Sequence, residues 1–121
     1  MIQLTFASLQ VRDLEASKAF YTNKLGFEIG DTNSQACIFK YKQGQASFAI
    51  RTPLEPLEGK KLGIGVALWF AVNENVDELK EKLIRNGITT AGPIIETPFG
   101  RAFHVEDLDG YKLTFLNTIS K

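Results

Sequence analysis

Two stretches of this chain share one plan, and that repeat limits the folds open to it. Leu9 to Phe27 reads LQVRDLEASKAFYTNKLGF. Leu9 and Val11 alternate with Gln10 and Arg12, as in a half-buried strand. Asp13 is placed to cap a helix, with its carboxylate accepting the free N–H groups of the first turn. Leu14, Tyr21 and Leu25 recur at helical spacing, and Phe20 widens the stripe. Gly26 suits the left-handed residue that ends many helices. Gly65 to Ile88 repeats the pattern. Val66, Leu68, Phe70 and Val72 alternate with Ala67, Trp69 and Ala71, and Asn75 with Glu78 forms a capping box. Val76, Leu79, Leu83 and Ile84 make one helix face, which Gly87 closes. Val11 to Gly26 and Val72 to Gly87 superpose on a shift of 61 positions. Two copies of a strand–helix unit in so short a chain point to internal duplication.

The remaining segments follow in the same order in both halves. Ile2 to Val11 reads as the first strand and Asp13 to Leu25 as the first helix. Phe27 to Ile29 starts a short strand that turns at Gly30-Asp31. Ala36–Tyr41 and Ala46–Arg51 read as a strand pair turning at Gly44. Residues 53–63, with Pro53, Pro56 and Gly59, read as a linker between a first module (1–52) and a second (64–121) within one domain spanning 1–121. In the second half, Thr89–Ile95 is expected as a strand broken by Gly92-Pro93. A turn at Thr97 to Gly100 leads into Ala102–Val105, and the tight turn DLDG (Asp107 to Gly110) precedes the last strand, Tyr111–Asn117. Each half is therefore β-α-β-β-β. The expected class is α+β: two βαβββ modules forming a curved mixed sheet around a concave pocket.

Charge and composition exclude several functions. With 121 residues and 44% apolar residues the chain can bury a core without staples. Zero formal net charge gives no electrostatic case for nucleic acid or an anionic membrane surface. No stretch is apolar for long enough to span a bilayer, and the N-terminus lacks a basic leader, so a cytoplasmic location is the expectation. The single cysteine, Cys37, cannot form an intrachain disulfide, and within CIF it reads as a buried small hydrophobe. There is no G-x-S-x-G, P-loop or G-x-G-x-x-G, and one histidine cannot supply a Ser–His–Asp or Cys–His arrangement. Asp107 and Asp109 form a carboxylate pair that turn chemistry explains.

VRDLEASKAFYTNKLGFE, VNENVDELKEKLIRNG and TPFGRAFHVEDLDGYKLTF, in that order, resemble the vicinal-oxygen-chelate superfamily. Its members include glyoxalase I, extradiol dioxygenases, fosfomycin-resistance enzymes and bleomycin-resistance proteins. The resemblance covers nearly the whole chain. Leu108 stands where that family usually has a proline. The resemblance implies the paired-module fold and, in metal-dependent members, a divalent ion held by His or Glu from the first, fourth, fifth and eighth strands. Carried onto this sequence, those positions fall on Phe6, near Ala49, on Ala67 and on Thr114. Phe and Ala offer no donor, and Thr is a weak ligand alone. A metal-free member is therefore expected, with no metal ligand and no cofactor.

Strand alternation then nominates an inner face. Phe6, Ser8 and Gln10 point inward from the first strand, and Ala67, Trp69 and Ala71 from the fifth. Arg101 and Phe103 are assigned inward on the seventh strand and Lys112 and Thr114 on the last, with Phe39, Ser47 and Arg51 as additions. This rests on pairing Glu106 with Tyr111, which sets His104 opposite Leu113, facing the helices as a structural residue; a slip of one residue reverses it. The expected ligand-binding set is Phe6, Ser8, Phe39, Arg51, Trp69, Arg101, Phe103 and Thr114, with no catalytic residue. Trp69 and the phenylalanines would stack a planar ligand, and Arg51 or Arg101 would pair with an anion. The expected function is a homodimeric protein, similar to bleomycin-resistance proteins, that sequesters a small hydrophobic or aromatic compound. Bleomycin is strongly cationic and its binders are typically acidic, so zero net charge argues against bleomycin itself. The alternatives are a diverged lyase, isomerase or dioxygenase working through His104, Tyr111 or Glu106, and a structural dimer without a ligand.

Overall fold

The computed structural model describes residues 1–118. The chain divides into two compact units, Met1–Lys60 and Lys61–Lys121.

In the first unit, β1 (Phe6–Gln10) leads to α1 (Leu14–Ala19). Asp13 caps the helix: extended at φ −133°, it accepts the Ala16 N–H at Oδ1 across 3.0 Å. The helix then widens into a π-helical turn, Phe20–Lys24, in place of the continuous α-helix expected to Leu25. Two consecutive aromatics of this turn, Phe20 and Tyr21, are both buried. Gly26 ends it at φ +87°. Strands β2 (Ile29–Thr32), β3 (Ala36–Phe39) and β4 (Ser47–Arg51) complete a four-stranded sheet in the order β1-β4-β3-β2. The β1–β4 pair is parallel and the others antiparallel. Gly30 and Asp31 do not turn the chain, as expected, but lie inside β2 at an irregularity in its pairing with β3. The turn falls at Asn33, whose Oδ1 accepts the N–H groups of Gln35 and Ala36.

The second unit repeats the scheme with β5 (Ala67–Ala71), α2 (Val76–Arg85), β6 (Ile95–Thr97), β7 (Gly100–Glu106) and β8 (Lys112–Asn117), ordered β5-β8-β7-β6. Asn75 Oδ1 caps α2 by accepting the Glu78 N–H across 3.0 Å. Of the strand expected over Thr89–Ile95, only a bridge from Ala91 to Val105 precedes β6. The registers correspond closely. Ser8 pairs with Ala49 and Ala49 with Ile38 in the first sheet; Trp69 pairs with Thr114 and Thr114 with His104 in the second.

One face of each sheet carries the helix and the core. In the first unit Tyr21 is fully buried, stacked on Phe39 at 5.4 Å between centroids and tilted against Phe48 and Phe27 at 5.6 and 5.7 Å. In the second, Leu79 and Leu83 of α2 are buried along with Phe103, Val105, Leu113 and Phe115 of the sheet.

Candidate functional site

The face away from the helix is the one available to a ligand, and the registers decide which residues lie on it. In the first unit these are Phe6, Ser8 and Gln10 of β1, Ser47, Ala49 and Arg51 of β4, and Ile38 of β3. Phe6 is 47% exposed. Gln10 is held by its Oε1, which accepts the Leu54 N–H at 2.8 Å, and Arg51 Nε donates to the Thr52 carbonyl at 3.0 Å. Phe6, Ser8 and Arg51 thus occupy the face expected of them. Phe39 does not. It lies on the helix side, 2% exposed within the aromatic core. Four successive apolar residues, Ala36-Cys37-Ile38-Phe39, leave no alternation from which its side could be read.

An open cavity of about 320 Å3 lies at the β2–β3 end of this unit, lined by residues including Gly30, Asp31, Ile38 and Tyr41. Phe39 is its one point of contact with the expected set. The volume is at the low end of small-molecule sites.

In the second unit the turn before β8 differs from expectation by one residue. Asp107 N–H donates to the Tyr111 carbonyl at 2.9 Å, and Asp107 Oδ1 accepts the N–H groups of Asp109 and Tyr111, both at 2.9 Å. The loop proper is three residues, Leu108 to Gly110, with Gly110 at φ +97°. Glu106 therefore pairs with Lys112, and His104 with Thr114. That step turns β7 over, because strand side chains alternate with a period of two. Arg101 and Phe103 leave the inner face. Arg101 donates to Asp77 of α2 at 2.8 and 3.0 Å and pairs with Glu96, contacts that raise its already high pKa. Phe103 is 1% exposed and packs on Phe115 at 5.6 Å. His104, expected to face the helices, takes their place beside Thr114.

The inner face of this unit accordingly carries Ala67, Trp69 and Ala71 on β5, Lys112, Thr114 and Leu116 on β8, and Ala102, His104 and Glu106 on β7. Trp69 is 49% exposed, and Thr114, between Trp69 and His104, is 7% exposed. Among the described residues, the side chains of Trp69, Thr114 and His104 make no hydrogen bond or ion pair, and no buried side-chain N or O lacks a partner. The polar atoms of Thr114 and His104 therefore still reach solvent. Sequence reasoning missed His104 and its neighbour Gly92. The available signal was the glycine closing DLDG, which marks a three-residue hairpin loop.

The residues do not fit a divalent ion. Phe6, Ala49 and Ala67 carry no donor and Thr114 a weak one, and no group of three His, Cys, Asp or Glu side chains forms among the described residues. Among the described residues no helix is long and apolar enough to cross a membrane.

The sequence profile described as Glyoxalase/Bleomycin resistance protein/Dioxygenase superfamily matches residues 3–115. No curated protein matches the sequence. Several solved structures share the fold. A member of the glyoxalase/bleomycin resistance protein/dioxygenase superfamily from Sphaerobacter thermophilus is 26% identical, with TM-score 0.72 over 97% of this chain and 98% of that one. TnmS3, an antibiotic-binding protein from Streptomyces sp. CB03234, is 20% identical, with TM-score 0.75 over 97% and 96%. The bleomycin-binding protein of Streptomyces verticillus, solved with copper(II)-bleomycin, is 21% identical, with TM-score 0.73 over 97% of each chain.

Proposed function

The chain belongs to the glyoxalase/bleomycin resistance protein/dioxygenase superfamily, and on that premise we propose that it is a metal-free member that binds and sequesters a small hydrophobic or aromatic compound. The observation that carries this reading is the donor chemistry of the inner faces. Where metal-dependent relatives would hold an ion, this chain has Phe6, Ala49, Ala67 and Thr114, none of them an imidazole, carboxylate or thiolate. Large half-exposed aromatics, Phe6 and Trp69, stand among small residues on those same faces. That make-up suits capture of an apolar body with a few polar anchors better than polarisation of a substrate oxygen. The shared fold with the antibiotic-binding TnmS3 and with the bleomycin-binding protein supports a sequestering role. Ser8 and Arg51 are the polar anchors proposed for the first unit, Arg51 for an anionic group. We further propose a single domain working in the cytoplasm as a homodimer. Its two sheets end on strands β1 and β2 and on β5 and β6, and sheet edges of this kind favour association.

Two measurements on gently purified, chelator-free protein test the reading. Elemental analysis is expected to find metal far below one equivalent per chain. A screen of hydrophobic and aromatic compounds by amide chemical shifts is expected to find saturable ligands on the inner faces. Near-stoichiometric zinc, nickel, iron or manganese would overturn the metal-free reading, and a screen with no ligand at all would overturn sequestration.

A further inference from the structure

Across the second sheet, one row of inner-face residues runs Trp69, Thr114, His104, Gly92. Trp69 pairs with Thr114 and Thr114 with His104. Gly92 continues the row, since Ala91 bridges Val105 and the Gly92 N–H donates to the His104 carbonyl at 2.8 Å. An indole and an imidazole thus rise two strands apart, with a threonine between them. Strands in a sheet lie about 4.8 Å apart, so the two ring-bearing backbones are about 10 Å apart. Aromatic pairs have centroids roughly 4.5–7 Å apart, so a ring held between two others needs about 9–14 Å. The backbone spacing is of the order that a ring held between two others needs.

Gly92 sets where the imidazole lies. A β-carbon on it would lie 2.5 Å from His104 Cε1 and 2.9 Å from both ring nitrogens. The imidazole therefore lies over the bare backbone of Gly92 and away from Thr114. Any larger residue at 92 would push it back over Thr114. The φ of Gly92 is not positive, so what requires glycine here is space and not backbone conformation. The floor of the gap is the Thr114 hydroxyl, which can donate or accept. Along the strands the surroundings differ: Ala67, Lys112 and Glu106 lie at one end, Ala71, Leu116 and Ala102 at the other.

We propose that Trp69, Thr114 and His104 form a slot for a flat aromatic ring, inserted edge-first between indole and imidazole. A hydroxyl or carbonyl on its leading edge would bond to Thr114, with Gly92 holding the slot open. The slot presupposes that the chain binds a small molecule, as proposed above. A substituent at the Lys112 end would be polar, and one at the Ala71–Ala102 end apolar. The slot selects for flatness, which a merely hydrophobic surface does not.

Trp69 is the only tryptophan, so its indole N–H gives a single resonance reporting on the slot. Titration with 2-naphthol is expected to shift that resonance saturably, with the saturated, puckered decahydro-2-naphthol at least tenfold weaker. Thr114→Val is expected to weaken 2-naphthol about tenfold. Gly92→Ala is expected to weaken it at least tenfold while leaving the unfolding midpoint close to wild type, because only a side chain has to move. In a His104→Ala background the Gly92→Ala change should have no further effect, a coupling that a misfolded variant would not show. Equal affinity for the flat and puckered alcohols, or a Gly92→Ala loss that persists without His104, would overturn the slot. If 2-naphthol leaves the indole resonance unmoved while another compound shifts amides of Ser8 or Arg51, the slot fails and the small-molecule reading stands. If no compound shifts an inner-face amide, both fail.

Discussion

Phe39, Phe103 and Trp69 look alike on paper, three large aromatics on strands. The structure separates them by side: the first two are buried against helices, while Trp69 stands half in solvent. Removing a buried aromatic strips its contacts and leaves a cavity, so Phe39→Ala and Phe103→Ala should each cost about 3–5 kcal/mol in urea unfolding. Trp69→Ala should cost less than about 1 kcal/mol while removing ligand binding. A Trp69→Ala loss as large as that of Phe39→Ala would make Trp69 a core residue. Arg101 belongs with the structural group. Its bonds to Asp77 and Glu96 are solvent-exposed and screened by salt, so Arg101→Ala should leave affinity for any inner-face ligand unchanged.

Among the elements, the helices were the easiest to read. The N-caps Asp13 and Asn75 and the stop glycines Gly26 and Gly87 all lie where their chemistry put them. Asp13→Ala and Asn75→Ala should each lower stability by about 1 kcal/mol, and Asp13→Asn should restore most of it. A null effect at Asp13 would mean that packing of Tyr21, not the cap, holds the short α1 in place. The strands were read less well, for a definite reason. A helix face tolerates an error of one residue, but a strand does not, because each step inverts it. Choosing a four-residue loop over a three-residue one at DLDG misplaced Arg101, Phe103 and His104 together. Phe6, Ser8 and Trp69 lie on the face that alternation along β1 and β5 gives them.

Across the whole chain, the repeated element order was legible from spacing alone, since the repeated Val-to-Gly interval needs few identities. The cavity beside β2 and β3 was not legible, because it depends on an irregular pairing at Gly30-Asp31 that leaves no periodic trace. Cys37 offers a probe of how tightly the first unit closes. Its side chain is fully buried, and burial, outweighing the nearby Lys18 cation, raises its thiol pKa. Because the folded thiol holds its proton longer than the unfolded one, its contribution to stability is complete below the ordinary thiol range. It is lost as pH rises beyond that range. Ellman's reagent should therefore leave Cys37 untouched in the native protein and label it quickly in urea. Rapid native labelling would show the first unit opening locally.

The matching registers have a consequence for the history and the engineering of this chain. Where the second sheet sets Trp69, Thr114 and His104 in a row, the first sets Ser8, Ala49 and Ile38 on the same backbone pairing. A blueprint written twice lets one copy keep the architecture while the other experiments. The plain row of the first copy shows that the pairing scheme does not itself demand an indole or an imidazole. Grafting the three side chains onto the first copy asks whether that ring recognition can be transplanted without redrawing the scaffold.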